Sequence, residues 1–575
     1  KLWAKMANQL LGFPRHLGIH SGGFVISDKS MNYICPQEPA SMEGRTVIEW
    51  CKDDIEALGF FKIDILALGG LTMIQKCLTY LKDTYAISLS MSDIPSDDLK
   101  TYEMIQKADT VGTFQIESRA QMSFLPQHKP KNFYDLVVQV AIIRPGPIQG
   151  GMIHPYLKRR LGLEPVSFPD PRLEPILKRT YGVPIFQEQV MRIAIAVGDF
   201  TAGEANELRK SIGAFTLRSD PGFWVKKLEI GMAQNKVPPE FIQRILGHIK
   251  GFSSYGFPES HAASFAHLAY ITSYLKCHYP AAFFTAILNS QPMGFYVPDT
   301  LIKTAQQLGI EVFPICSVYS EWDHKLEKQP NKKGNLTYGI RLGFRLIKGL
   351  SKKGISPWIR YKTNIYQQWF KKQQSSETHE LSLETLIGES FLSRVNFTSL
   401  AAANIFHLFG LARKDAVWLA EASPFKHQLM SDFTIEEIKS KGIFEKESEI
   451  ENMQLDYMST STSLGKHPAK LMKLYSWLYV YPKEQLALSE TITHFTNDRA
   501  SITIFGMVVS RQAPPTAKGM VFISIWDETG AINLVCRPDI YSKYQEIIDS
   551  HAFLCISGIC QKKDNSASIL ITKVH

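Results

Sequence analysis

Apolar residues recur at every second position near the two ends of the chain and at every third or fourth position between them. Over residues 1–75, short alternating runs (GGFVIS, RTVIEW, FFKIDIL) separated by glycine turns predict an α/β layer. The last of these reads as a buried strand over Phe60–Leu66, which passes through a Gly-Gly turn into an amphipathic helix. Further on the spacing becomes helical, as in FYDLVVQVAII and EQVMRIAIAVG. Loops rich in Pro and Gly interrupt it at Arg144–Gly151, Phe168–Pro175 and Tyr255–Ala262. Near the end the period returns to two. ASITIFGMVVSR, GMVFISIWDETGAINLVC, HAFLCISGICQ and SASILITKV predict about five strands, enough for a small Greek-key barrel of the OB type. In the second of these segments Val521, Ile523 and Ile525 face inward. Phe522 and Trp526 then lie on the other side, where they either stack single-stranded bases or cover a neighbouring helix.

Two segments share a pattern of helix, tight glycine turn and helix: Phe344–Ile355 and Ala401–Ala422. Such a helix-hairpin-helix pair brings backbone N–H groups and nearby cations to DNA phosphates without reading bases. Lys348, Lys352 and Lys353 in the first copy, and Arg413 and Lys414 in the second, are the candidate contacts. The first copy lies in a block, Arg341–Lys372, with nine Lys or Arg and no Asp or Glu. The acidic stretch Asp432–Glu451 reads as a linker between domains.

Asp64 carries the candidate chemistry. A carboxylate among Phe, Ile and Leu is costly to bury without a charged partner, and Lys62 lies two residues earlier, on the same face of the strand. The pair reads either as a cap or salt bridge or as a metal-and-phosphate site, with the carboxylate on the cation and the ammonium on the phosphate. Two-metal phosphoryl chemistry needs further carboxylates, yet no Asp-x-Asp strand precedes Asp64. Asp53 and Asp54 are adjacent and on a strand would face opposite ways. The chain opens with Lys1, inside what already reads as a helix, so the expectation is that its front is missing.

A length of 575 residues calls for three or four domains, and 45% hydrophobic with 21% charged residues is ordinary for a globular protein. No apolar run reaches the roughly 18 residues of a membrane span. The eight cysteines are scattered without a C-x-x-C pair, which argues against zinc and for a reduced, cytoplasmic setting.

Longer stretches carry a resemblance. They are GFPRHLGIHSGGFVIS, GFFKIDILALGGLT, VGTFQIESRAQMSFLPQHKPKNFYDLVVQVAIIRPGPIQGGMIHPYLKRR, GVPIFQEQVMRIAIAVGDFTAGEANELRKSIGAF and YGFPESHAASFAHLAYITSYLKCHYPAAFFTAILNSQPMGFY. From about Leu11 to the end the chain resembles the C-terminal part of the bacterial DNA polymerase III alpha subunit family (C family). PESHAASF, NSQPMGFY and ESRAQM point to its error-prone branch. The resemblance implies an α/β plus α plus β multidomain fold: a partial polymerase-beta-like palm over 1–75, large helical fingers over 76–330 and a tandem helix-hairpin-helix region over 335–425. A connecting region over 426–495 and an OB-fold barrel over 496–575 would follow.

The resemblance further implies 5′-to-3′ deoxynucleotide addition with two Mg²⁺ ions, in damage-induced mutagenesis and translesion repair synthesis. Asp64 would be one of three metal-binding aspartates, and the other two, an Asp-x-Asp pair, would lie before Lys1. Lys62 would stand near the primer end or the phosphates. Arg144, Arg209, Lys210, Ser260 and His261 match positions the family uses around the incoming nucleotide, while Gln115 and Glu117 would tie fingers to palm. Cys51 stands where the family pattern leads us to expect Asp. Expected partners are primer-template DNA and dNTPs, together with a sliding clamp and mutagenesis accessory proteins. QLDYM (Gln454–Met458) is the nearest candidate for a clamp-binding peptide. Two readings from other classes stay open. One is a non-catalytic DNA-binding remnant or accessory protein; the other, a nucleotidyltransferase acting on RNA or small molecules, is disfavoured by the length of the fingers match.

Overall fold

The computed structural model describes residues 2–575 except 11–12, 14–18, 21, 41, 43, 145–146, 149–150, 214–220, 253–257, 295, 331–335, 375–391, 423–443, 476–485, 515–516, 518 and 564–565. Most of GFPRHLG, the Pro-Gly of the Arg144 loop, the YGF of the Tyr255–Ala262 loop and most of the acidic stretch lie outside the described residues.

The alternation near the start of the chain forms two separate antiparallel ribbons. Strands β1 (Gly23–Ile26) and β4 (Phe61–Asp64) make one; β2 (Gln37–Pro39) and β3 (Thr46–Ile48) make the other. The expectation of a buried strand at Phe60–Leu66 is corrected: every residue of β4 is exposed, Phe61 at 67%. Its apolar residues have only the four-residue β1 beside them, and no second layer covers that ribbon among the described residues.

The turn out of β4 is also not the glycine pair. Ala67 takes the left-handed conformation (φ 59°), while Gly69 and Gly70 lie inside the following helix, Leu68–Tyr85. The glycines serve close approach instead: a Cβ on Gly69 would stand 3.2 Å from Met293, and one on Gly70 3.2 Å from the Phe114 ring. That helix buries Gly70, Met73, Ile74, Cys77 and Leu81, a stripe at helical spacing, so the expected boundary at 75/76 falls within a single packed element.

The fingers are helical, as their periodicity predicts. One core runs from Tyr102 and Ile105 through the Phe133–Ile142 helix to Ala262 and Tyr270. A 20-residue helix, Glu259–His278, crosses this body. At one end its Glu259 N–H donates to Glu188 (2.9 Å) and its carboxylate accepts from Tyr134 (3.1 Å). At the other end Lys276 holds Asp109 (2.6 Å) and His278 lies 2.8 Å from Asp98.

A second core continues from Met73 through Phe283, Ile340 and Trp358 to Ala420, so fingers and hairpin region share an interior. The expected break at 330/335 falls between β6 (Lys325–Pro330) and β7 (Leu336–Arg341), which pair within one sheet beside β5 (Val312–Phe313). The first hairpin copy lacks its leading helix. A 3-10 turn (Phe344–Leu346), Gly349 at φ +80° and the Lys352–Gln374 helix take its place. The second copy follows the Arg394–Ala402 helix with the same scheme: a 3-10 turn (His407–Phe409), Gly410 at φ +70° and the Arg413–Ala422 helix.

The last part is the predicted barrel. Strands β8 (Leu486–Ala487), β9 (Ser501–Gln512), β10 (Val521–Trp526), β11 (Ala531–Cys536), β12 (Phe553–Lys563) and β13 (Ser566–Val574) run in the order β10-β11-β13-β12-β9-β8, and pairing of β10 with β9 closes the barrel. Val521, Ile523 and Ile525 face its core, as alternation requires.

Candidate active-site cleft and nucleic-acid surfaces

The site grows from the end of β4. Register pairs Asp64 with Gly23 and Lys62 with Val25, so both side chains project from one face, and Lys62 Nζ lies 3.0 Å from Asp64 Oδ2. Chain crossing here requires glycine: a Cβ on Gly22 would stand 2.2 Å from the Ile65 carbonyl oxygen. A Cβ on Gly23 would meet Asp64 Oδ1 and His20 Nδ1 at 3.2 and 3.1 Å. At the same turn His20 Nδ1 accepts the Gly22 N–H (3.2 Å). Reading the sequence missed it, although the HSGG run that places it was in view.

Immediately beyond Asp64 the chain lines a cleft of about 620 Å³ between this strand end and the fingers. Ile65 and His20 form one wall, with Phe114, Glu117 and Arg144 opposite. Arg144 follows the Phe133–Ile142 helix, and its Nε donates back to the Val140 carbonyl (3.3 Å). Its charge, after burial, helps hold the His261 pKa below the ordinary histidine range, so His261 presents a neutral imidazole near neutral pH. Ser260 and His261 occupy the first turn of the Glu259–His278 helix and line a depression of about 560 Å³. The structure thus brings Arg144 and His261 within electrostatic reach of each other, while the cleft lining begins at Ile65, one residue past Asp64. Arg209 and Lys210 sit on the Ala202–Gly213 helix, held by their own neighbours Asn206 (3.0 Å) and Glu207 (2.8 Å).

Glu117 is buried in the cleft wall, and its pKa is pushed up to about 7. Burial raises it, against the Gly112 N–H (3.0 Å from Oε2) and the nearby Lys276 charge. A carboxyl whose folded pKa exceeds its unfolded value, about 4.3, costs stability as pH rises between the two. Glu117→Gln is therefore expected to raise the Tm at pH 8 and to lose that advantage toward pH 5. Thermal unfolding across this range checks it; a pH-independent offset would refute the assignment.

The nucleic-acid candidates divide. Lys352 and Lys353 are exposed in the first turn of their helix, which has no acidic residue there. Cations at a helix N-terminus are unfavourable unless an anion joins them, which suits a phosphate. Lys348 is exposed but spends one donor on the Tyr457 carbonyl (2.8 Å). Arg413 corrects the expectation of a DNA contact: its side chain is buried, and its guanidinium pairs with Asp456. Lys414 lies 3.6 Å from Glu451, so the charge of the second hairpin is largely answered within the protein.

Neither barrel aromatic is an open platform. Trp526 is buried and meets His467 edge-on at 6.4 Å. Phe522 is half-buried, with the Arg119 guanidinium 5.0 Å from its ring centroid. Arg119 also donates to the Leu534 carbonyl (3.2 Å), and burial pushes its pKa down to about 10. The reading in which the rings cover a neighbouring element is the one observed, because the barrel docks on the fingers there. QLDYM lies inside the Glu449–Thr460 helix, with the Tyr457 hydroxyl donating to buried Asp299 (3.0 Å), which holds its aromatic end within the protein.

The described residues thus combine a strand-borne Lys-x-Asp pair, a cleft lined by Arg144, helical fingers, glycine-turn helices and an OB barrel. Residues 1–67 match the family model described as the bacterial DNA polymerase III alpha NTPase domain, residues 70–235 that of the bacterial DNA polymerase III alpha subunit finger domain, and residues 502–575 that of an OB-fold nucleic acid binding domain. Over residues 1–235 the chain is thus similar to the bacterial DNA polymerase III alpha family. It is 40% identical to Error-prone DNA polymerase 2 of Agrobacterium fabrum over 98% of its own length and 51% of that protein's. It is 42% identical to the Error-prone DNA polymerase of Vibrio campbellii (99% and 53%) and 42% identical to that of Hahella chejuensis (97% and 52%). The chain spans about half the length of these curated relatives. No helix among the described residues is long and apolar enough to cross a membrane.

Proposed function

We propose that this chain supplies the nucleotide- and DNA-binding half of an error-prone DNA-directed DNA polymerase that acts in damage-induced and translesion synthesis in the cytoplasm. The observation that carries the reading is one cleft lined by both Arg144 and Ile65, the residue that follows Asp64. Arg144 neutralises triphosphate charge, with Arg209, Lys210 and Ser260 further along the fingers; the neutral His261 donates or accepts a hydrogen bond beside it. Lys62 orients the primer end or a phosphate. Lys352 and Lys353 grip duplex phosphates, which makes binding sequence-independent and salt-sensitive.

Mg²⁺ is the cofactor expected of this chemistry, and Asp64 would be one ligand. Among the described residues no trio of metal-ligating side chains gathers around Asp64; the group found, Asp98, Cys277 and His278, lies elsewhere. These residues alone do not fit a two-ion centre. That shortfall favours a second reading, in which this part of the protein binds DNA and nucleotide without performing the chemistry on its own. A sliding clamp and accessory proteins remain proposed partners, through surfaces other than Tyr457.

Arg144→Ala is expected to weaken binding of a fluorescent deoxynucleoside triphosphate by about tenfold to hundredfold, the worth of a charge-assisted hydrogen bond. Unchanged affinity in a direct titration would remove Arg144 from the nucleotide site.

A further inference from the structure

With the Phe522 face covered, the large hydrophobic residues left exposed among the described barrel residues are Phe495, at 79%, and Ile559, at 38%. Phe495 ends the Ser489–Phe495 helix, which is fixed to the barrel through the fully buried Ile492. The ring therefore stands on an anchored element, yet lies open to solvent.

Its surroundings are basic and held in place. Lys562, on β12, donates from Nζ to the carbonyls of Thr496 (3.2 Å) and His494 (3.4 Å), which lays its ammonium across the turn carrying the ring. Arg499 is 91% exposed and takes a left-handed conformation (φ 64°). Its N–H donates to the Cys560 carbonyl (2.8 Å), and Cys560 N–H donates back to Ala500 (2.8 Å), so its backbone is tied to β12. The one acid within this turn, Asp498, accepts the Lys562 backbone N–H (2.8 Å) and lies 3.9 Å from Arg499. Phe495 and Arg499 precede the stretch that matches the OB-fold model, which begins at residue 502.

We propose that Phe495, flanked by Arg499 and Lys562, is a stacking site for single-stranded nucleic acid. A rigid exposed ring offers a base its face, and the two cations take the phosphates on either side. The site rests on the proposed polymerase reading and gives the barrel the unpaired strand to hold. It moves the strand contact from the covered Phe522 face to the end of the barrel where β12 meets the Ser489–Phe495 helix.

The test titrates the full chain with labelled oligothymidylate and, separately, with blunt duplex DNA. Phe495→Ala is expected to weaken oligothymidylate binding roughly five- to hundredfold, the range for losing one base–aromatic stack. Blunt-duplex affinity should stay within about twofold, and Phe495→Trp should keep the single-strand affinity. Arg499→Ala should reduce the salt slope for oligothymidylate by about 0.7. Wild-type affinity for the single strand in Phe495→Ala would overturn the site while leaving the polymerase reading intact, and would leave the ring to a protein partner. Equal loss on duplex would also overturn it. Failure of the wild-type protein to bind oligothymidylate at all would overturn both the site and the barrel's proposed role.

Discussion

Asp64→Asn is expected to abolish deoxynucleotide addition in a polymerase reconstituted to the length of its relatives, by a thousandfold or more, while duplex affinity stays within about twofold. A metal-held carboxylate contributes several kcal/mol to phosphoryl transfer, and about 1.4 kcal/mol is a factor of ten. Asparagine keeps the volume and loses the charge. Because Asp64 is exposed on a two-stranded ribbon, its replacement leaves the fold's interior untouched. Primer extension and filter binding on the same preparations check both halves. Extension near the wild-type rate would reduce Asp64 to the surface partner of Lys62 that its 3.0 Å contact already makes it. The 575-residue chain alone is expected to extend no primer.

The largest stability loss is expected from Asp135→Ala. Asp135 and Arg160 form a two-pronged ion pair (2.6 and 2.8 Å) with both side chains only 11% exposed. Arg160 also donates to the His128 carbonyl (2.8 Å), and Asp135 accepts the Lys131 N–H (2.8 Å). Removing one partner strands a buried charge, at about 3–5 kcal/mol, or very roughly 6–20 °C in the Tm of a unit this size. Replacing both partners with apolar residues should recover much of the loss. Burial alone would raise the Asp135 pKa, but the guanidinium reverses this and holds it below the usual carboxylate range. Its contribution is therefore present above about pH 4 and fades as pH falls further. Melting curves of wild type and Asp135→Ala should converge in acid. Since the Phe133–Ile142 helix leads directly to Arg144, the same variant should also loosen the nucleotide cleft.

Periodicity made the barrel and the fingers legible because each segment there buries one face against a complete core, as Val521, Ile523 and Ile525 do. It misjudged β4 for the opposite reason: FFKIDIL has the composition of a buried strand, but burial depends on what stands opposite, which no run of residues records. The Lys62–Asp64 pairing followed from a spacing of two along a strand and was found as expected. The fates of Arg413, Trp526 and Tyr457 turned on partners more than 40 residues away in sequence, Asp456, His467 and Asp299. Local pattern shows that a residue is basic or aromatic, but it cannot show whether the protein itself has already used that property. His20 went unnoticed because its place in the cleft wall depends on two glycines that let the backbones cross almost in contact.

The Glu259–His278 helix has a mechanical consequence. Twenty residues at about 1.5 Å each make a beam about 30 Å long, clamped at both ends by buried or half-buried polar contacts. His261 stands at one tip and His278 near the other. The Cα positions on such a beam cannot shift singly; to move the His261 backbone by an ångström, the fingers must tilt the whole strut or break a clamp. The β1–β4 ribbon, two short strands with every residue of β4 exposed, has no such clamp among the described residues.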